Sequence, residues 1–128
     1  MEIKLTPQES EMYFYNALCN GLTQMGYYDL ELTYDASDYA SARFTLTKEA
    51  SDIICYQDVL MQILRDGKSL TMVDLDAEES YSINLQDVHE RVQQTPFRKL
   101  LERIEERDDA DTADCIIQQV FFGDIVFG

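Results

Sequence analysis

The side chains of this sequence that could do chemistry are mostly carboxylates, and they gather at two places. The run Asp74-Leu75-Asp76-Ala77-Glu78 resembles the first half of a calcium-binding loop, in which alternate residues supply oxygen ligands. That loop needs glycine where Glu79 stands and a bidentate glutamate where Leu85 stands. The run Asp109-Ala110-Asp111 fails at the same two positions. We therefore expect turn and helix-cap chemistry at both places, with weak magnesium or calcium association as the alternative.

The single histidine and the three cysteines are the other candidates for catalysis. A catalytic triad needs a nucleophile against the imidazole, and no nucleophile motif accompanies His89. Cys19, Cys55 and Cys115 are widely spaced, without a CxxC or Cys/His pair, so neither a zinc site nor a disulfide framework is indicated. We expect buried free thiols and a surface histidine. We expect no enzyme, no metal and no cofactor.

Net charge limits the kinds of partner that the chain can bind. It has 25 Asp and Glu against 10 Lys and Arg, a formal net charge of -15. Such a chain repels nucleic acids and anionic membranes and attracts basic proteins. The acids are spread along the chain, which favours a folded acidic surface over a disordered acidic tail. The predicted partner-binding carboxylates are those of Asp74, Asp76, Glu78, Glu79, Asp108, Asp109 and Asp111.

Three functions fit this acidic composition. The first is a non-catalytic module that binds the basic surface of a protein partner. The second is a DNA mimic, whose ordered carboxylates imitate duplex phosphates at one charge per about 1.7 Å of helix axis. The third is a carboxylate-dependent enzyme or weak metal binder, which would need a cleft where acids converge with raised pKa values. Homodimerisation through the apolar end of the sequence is also open.

Hydrophobic periodicity predicts the elements that position these side chains. Thr6-Pro7-Gln8-Glu9 has the form of a capping box with proline at the first helical position, so a helix from Pro7 to about Met25 is expected, with Gly26 as its stop. Gly21 lies inside it and either weakens the helix or permits close packing. Residues 28–35 alternate between apolar and polar side chains and predict a strand. Residues 38–47 fit a helix or a strand, with helix slightly favoured.

The stretch 51–76 is predicted to be the centre of the core. Apolar residues recur at helical spacing from Ile53 to Leu64, Ser51 or Asp52 can cap the first turn, and Gly67 can end the helix. A strand is then expected over the last seven residues of the stretch.

A hairpin follows from the next two signals. The strand over 70–76, with Leu75 among its apolar residues, precedes a turn over 77–80 and a second alternating run over 81–85. Asn84 can cap a short helix that carries Val88 and Val92.

The last third of the sequence predicts two more helices. One covers 97–104, and the acidic stretch 108–114 can cap the other, which Gly123 ends. The apolar residues 124–128 are expected to dock as an edge strand or to pack into the core. An exposed partner-binding peptide is the alternative.

The segments CYQDVLMQILRDG and DADTADCIIQQVFFGDIVFG carry a resemblance. The chain looks like small acidic proteins of unassigned function found in bacterial genomes, often near prophage or mobile elements. The resemblance implies a bacterial cytosol and an accessory protein that acts through a partner. It implies no activity, cofactor or catalytic residues.

The predicted fold is a single α+β domain over residues 1–128. Its strands alternate on one face only, so a small antiparallel sheet of three or four strands should pack against several helices as one pair of layers. No apolar run reaches membrane-spanning length, and the first residues lack the apolar region of a secretion signal. A cytoplasmic location is therefore expected.

Overall fold

The computed structural model describes residues 4–49, 53–95 and 110–127.

The first helix begins where its capping residues predict. Helix α1 covers Pro7–Tyr27. The Thr6 hydroxyl accepts the N–H of Glu9 at 3.1 Å, and the Glu9 carboxylate accepts the N–H of Thr6 at 2.9 Å. This reciprocal pair satisfies two backbone donors that the helix itself leaves free. The helix continues through Gly26, so the predicted stop is two residues early.

The first strand is shorter than predicted, and the ambiguous stretch after it is a helix. Strand β1 covers Leu30–Thr33. It starts at Leu30 because Asp29 adopts a left-handed backbone with φ 58°. Helix α2 covers Ala36–Glu49, which confirms the favoured interpretation of 38–47. Tyr39 stacks on Tyr34, with ring centroids 5.1 Å apart, and this contact stabilises the first turn of α2.

Helix α3 covers Tyr56–Arg65 and starts later than expected. The prediction of a cap at Ser51 or Asp52 is wrong. Cys55 is the N-cap, and the Asp58 carboxylate accepts its N–H at 3.0 Å. Ile53 precedes the helix and is 93% exposed, so its apparent place in the apolar stripe was coincidental. The stop at Gly67 is confirmed: φ is +81°, and Lys68 N–H donates to the Ile63 carbonyl at 3.1 Å.

The sheet has three antiparallel strands in the order β1-β2-β3. Strand β2 covers Leu70–Asp74 and strand β3 covers Glu79–Ile83, so the hairpin is confirmed and the α+β class with it. Its turn lies at 75–78, two residues earlier than predicted. Leu75 therefore belongs to the turn and is 54% exposed, not buried. Leu85 belongs to the following helix.

Two helices complete the described chain. Asn84 caps α4, Leu85–Arg91, as predicted, and a 3-10 turn over Val92–Gln94 follows. The predicted helix over 97–104 lies outside the described residues. Helix α5 covers Ala110–Phe122, so it begins inside the acidic stretch 108–114 that was expected to cap it. Gly123, with φ +77°, follows its end.

The core joins the first and last helices to the sheet. Among the residues that the structure describes, the buried apolar side chains form one cluster. It includes Phe14 and Leu18 of α1, Leu60 of α3, Met72 of β2 and Ile116 of α5.

Gly21 sets how closely α1 approaches α5. A Cβ atom built there would lie 2.8 Å from Cδ1 of Ile117 and 3.1 Å from the carbonyl carbon of Ala113. The structure therefore confirms the close-packing interpretation of this glycine, inside one continuous helix.

The segment 124–127 packs against the domain without joining the sheet. It forms no strand, so the edge-strand form of the prediction is wrong, and docking against the body of the protein is what is observed. Val126 is 61% exposed, while the Phe127 ring contacts the core.

Candidate functional site

The hairpin brings four of the predicted carboxylates to one end of the sheet. Asp74 and Glu79 face each other across β2 and β3, and Asp76 and Glu78 lie in the turn between them. The Asp74 carboxylate accepts the N–H groups of Asp76 and Ala77, both at 3.1 Å. Asp74 therefore shapes the turn, which is the turn chemistry expected of this run. The other three side chains are exposed.

A fifth carboxylate, that of Asp29, joins this end of the sheet. The register pairs Leu30 with Asp74, and the N–H of Leu75 donates to the carbonyl of Asp29 at 3.0 Å. The charge of Asp29, followed by a hydrogen bond to it, raises the pKa of Asp76. The strand register and this backbone hydrogen bond therefore place the exposed carboxylate of Asp29 beside the hairpin turn. We call the set Asp29, Asp74, Asp76, Glu78 and Glu79 the acidic end.

Sequence reasoning missed Asp29 because it appeared to be an outward residue of a strand. The turn between α1 and β1 places it beside the hairpin instead. The one available signal was the pairing of its strand with 70–76, since any antiparallel register brings the start of β1 to the end of β2.

Of the three remaining predicted site residues, the structure describes the backbone of one. Asp108 and Asp109 lie outside the described residues, and Asp111 belongs to the first turn of α5. Over residues 4–49, 53–95 and 110–127, no group of three or more His, Cys, Asp or Glu side chains could hold a metal ion. Within the same ranges, none of the ion pairs involves a carboxylate of the acidic end.

A second polar cluster connects three helices on another part of the surface. In α1, one carboxylate oxygen of Glu11 accepts a hydrogen bond from Nε of Arg65 at 3.1 Å. The other carboxylate oxygen lies 2.9 Å from Nε2 of His89. Burial opposes ionisation of Glu11, but the hydrogen bonds from His89 and Arg65 outweigh it and lower the pKa of Glu11. His89 is thus hydrogen-bonded to another helix, with a side chain 27% exposed, and is less exposed than the surface residue expected.

A shallow depression of about 290 Å³ lies beside this cluster, lined by Gln8, Glu11, Met12, Tyr15 and Arg65. It contains one carboxylate, whose pKa is lowered. A carboxylate-dependent enzyme would need the reverse, several acids in a cleft with raised pKa values. The depression gives that alternative no support.

The cysteines are less buried than expected. Cys19 and Cys55 are exposed, and Cys115 alone of the three is buried. Cys19 lies on the polar side of α1, and Cys55 is outside the helix that it caps, so neither belongs to the apolar stripe of its helix. Partial burial still raises the pKa of the Cys19 thiol, while a hydrogen bond with Tyr15 opposes that change.

No protein-family model, curated protein or solved structure matches this chain. In the part of the chain that the structure describes, no helix is long and apolar enough to cross a lipid bilayer. The acidic end is put forward as the candidate site on its geometry, since it gathers five carboxylates and exposes four of them.

Proposed function

We propose that the chain is a non-catalytic interaction module whose acidic end binds a basic surface of a protein partner. The observation that carries this proposal is the gathering of five carboxylates at one end of the sheet, none of which belongs to an ion pair among the described residues. Two like charges held together at an exposed position destabilise the free protein. A cationic partner would relieve that repulsion, so binding gains more here than at an isolated carboxylate.

The arrangement of the hairpin supports a surface built for contact. Asp76, Glu78 and Glu79 are exposed, and Glu78 adopts a left-handed backbone with φ 54°, which fixes its direction at the turn. Asp74 accepts two backbone donors and so holds the turn in place. In this proposal Asp74 and the strand pairing position the site, and the other acids contact the partner.

The proposal also covers the classes of partner that are disfavoured and the cellular location of the protein. The net charge of -15 disfavours direct binding to nucleic acids and anionic membranes. The resemblance to small acidic bacterial proteins favours an accessory protein in the cytoplasm of a bacterium or acting for its mobile elements.

Charge reversal with a matched control tests the proposal. One variant changes Asp76, Glu78 and Glu79 to lysine and leaves Asp74 to hold the turn. The control reverses three exposed acids elsewhere, Asp66, Glu90 and Glu49, and has the same formal net charge. Both variants are melted first, to show that the fold survives.

Each chain is then immobilised and exposed to bacterial lysate, and captured proteins are eluted by a salt ladder. We expect the wild type and the control to retain the same basic protein, released as salt shortens the Debye length below about 8 Å. The hairpin variant should lose it. Equal capture by the hairpin variant would remove the acidic end from the proposal. Displacement of the captured protein by duplex DNA would favour the DNA-mimic alternative.

A further inference from the structure

One buried glutamine holds the backbone of the segment 124–127. Gln118 is fully buried in α5. Its side-chain oxygen accepts the N–H of Val126 at 2.8 Å and that of Phe127 at 2.7 Å. Its side-chain nitrogen donates to the carbonyl of Phe127 at 3.1 Å. One amide therefore satisfies three main-chain groups, which is recognition of an extended backbone independent of side-chain identity.

Aromatic contacts add selectivity for a ring at position 127. The Phe127 ring stacks on Tyr28 at 5.2 Å, with 20° between the planes, and contacts Phe122 at 5.8 Å. Aromatic pairs at these distances contribute about 0.5–1.5 kcal/mol beyond their buried area. The groove thus combines a backbone-binding amide with a site for one aromatic side chain.

The carboxylate of Asp114 orients the groove, and none of its described hydrogen bonds goes to the segment. Asp114, 6% exposed, accepts the Tyr28 hydroxyl at 2.6 Å and the Gln118 amide nitrogen at 2.6 Å. One carboxylate therefore orients both the stacking ring and the backbone-binding amide. These bonds do not involve residues 125–127, so departure of the segment would break neither of them.

The segment is joined to α5 through a pivot. Gly123, with φ +77°, donates its N–H to the Gln119 carbonyl at 3.0 Å, and its own carbonyl accepts the Gln119 side-chain amide at 3.0 Å. Val126 remains 61% exposed. Rotation beyond the pivot would release the segment without disturbing the helix, which is the geometry that permits exchange of a segment between copies.

We propose that the groove of Tyr28, Asp114, Gln118 and Phe122 is a peptide-binding site, occupied within one chain by residues 125–127 and able to bind the same segment of a second copy. The second copy is the partner because its segment has the chemistry already seated in the groove: two consecutive free N–H groups and a phenylalanine. A short tether gives the resident segment an effective concentration of about 1 mM, so exchange occurs only at high protein concentration. This inference does not depend on the acidic end.

A mixture of two complementary full-length variants tests the proposal without competition from the resident segment. The sequence has no tryptophan, so one introduced indole is a unique fluorescence reporter. The donor carries Gln118→Leu and Phe127→Trp, which disables its groove and labels its segment. The acceptor carries Phe127→Ala, which keeps the groove and weakens its own segment. A control acceptor carries Tyr28→Ala in addition.

We expect the donor emission to shift to shorter wavelength as the acceptor is added, with half-saturation below about 1 mM. The wild type as acceptor should need more than about 1 mM protein, because its own segment competes at that effective concentration. No shift, or the same shift with the control acceptor, would overturn the proposal. Circular dichroism melts verify each fold, and a donor with Tyr28→Ala in place of Gln118→Leu serves if the leucine variant does not fold.

Discussion

The same substitution at two glycines of α1 should change stability in opposite directions. Gly21 and Gly26 both lie within the helix. A Cβ at Gly21 would lie 2.8 Å from Ile117 Cδ1 and 3.1 Å from the Ala113 backbone, whereas a Cβ at Gly26 has nothing within 4 Å. Alanine therefore enters open space at one position and the interface of α1 and α5 at the other.

The expected magnitudes follow from two opposing effects. Alanine is favoured over glycine in a helix interior by about 1 kcal/mol, and this gain is present at both positions. Extra volume in a packed core costs about 1–3 kcal/mol. Gly26→Ala should raise the free energy of unfolding by up to about 1 kcal/mol, less if the helix end frays. Gly21→Ala should lower it by up to about 2 kcal/mol, so the difference between the variants measures the packing cost.

Urea denaturation followed by circular dichroism measures both changes, and equal slopes show that the unfolded states are comparable. Ile117→Val provides the internal control, because it removes the Cδ1 atom that meets the new methyl group. In that background Gly21→Ala should cost about 0.5–1 kcal/mol less. Stabilisation by Gly21→Ala equal to that by Gly26→Ala would refute the close approach of the two helices.

Two further predictions concern pH. Hydrogen bonds from His89 and Arg65 lower the pKa of Glu11 from 4.5 against the effect of burial, so this carboxylate stabilises the fold above pH 4.5 and loses that contribution as the pH falls through its lower folded value. Glu11→Gln should be about 1 kcal/mol less stable than the wild type at pH 7, and urea titrations should show the gap closing below pH 4.5; a constant gap would contradict the contacts of Glu11 with Arg65 and His89. The hydrogen bond to Asp58, followed by burial, raises the pKa of Tyr15 from 10.0 to about 12, so its contribution is complete below pH 10 and is lost as the pH rises toward 12. Thermal melts of Tyr15→Phe should show a shallower loss of stability over that interval, and parallel curves for variant and wild type would argue against the Tyr15–Asp58 contact.

The features that sequence predicted well are the ones decided within a few residues. The capping boxes at Thr6 and Asn84 need only side chains three positions apart, and the stop at Gly67 needs one left-handed residue. The hairpin follows from two alternating runs and a short turn. In each case the physical cause lies in neighbouring residues, so the sequence pattern is sufficient to predict the structure.

The errors arose where the cause was not local or had no residue preference. Cysteine is not a favoured N-cap, so the start of α3 at Cys55 had no signal apart from Asp58. Left-handed backbone at Asp29 likewise has only a weak preference in sequence. The contact of Glu11 with His89 spans 78 residues, and no spacing rule predicts such a pairing.

The same contrast between local and non-local causes applies to the candidate sites. Four acids of the hairpin were adjacent in sequence and could be grouped from it, whereas Asp29 required the strand register. The groove around Gln118 was missed because Tyr28, which follows α1, is far in sequence from the groove residues of α5. Its glutamine lies in an apolar helical stretch, which is the one signal that could have drawn attention to it.

The crossing of α1 and α5 also determines the order in which the chain can fold during synthesis. The Tyr28–Asp114 hydrogen bond joins residues 86 positions apart, so the apolar stripe of the first helix stays uncovered until α5 has left the ribosome. Contacts of such long range slow folding, because the loop between them must be closed before they form. Until then Phe14 and Leu18 lack the helix that covers them, and exposed apolar surface of this kind promotes aggregation. Nascent chains halted before residue 110 should therefore depend on chaperones, while chains that include α5 should be released by them.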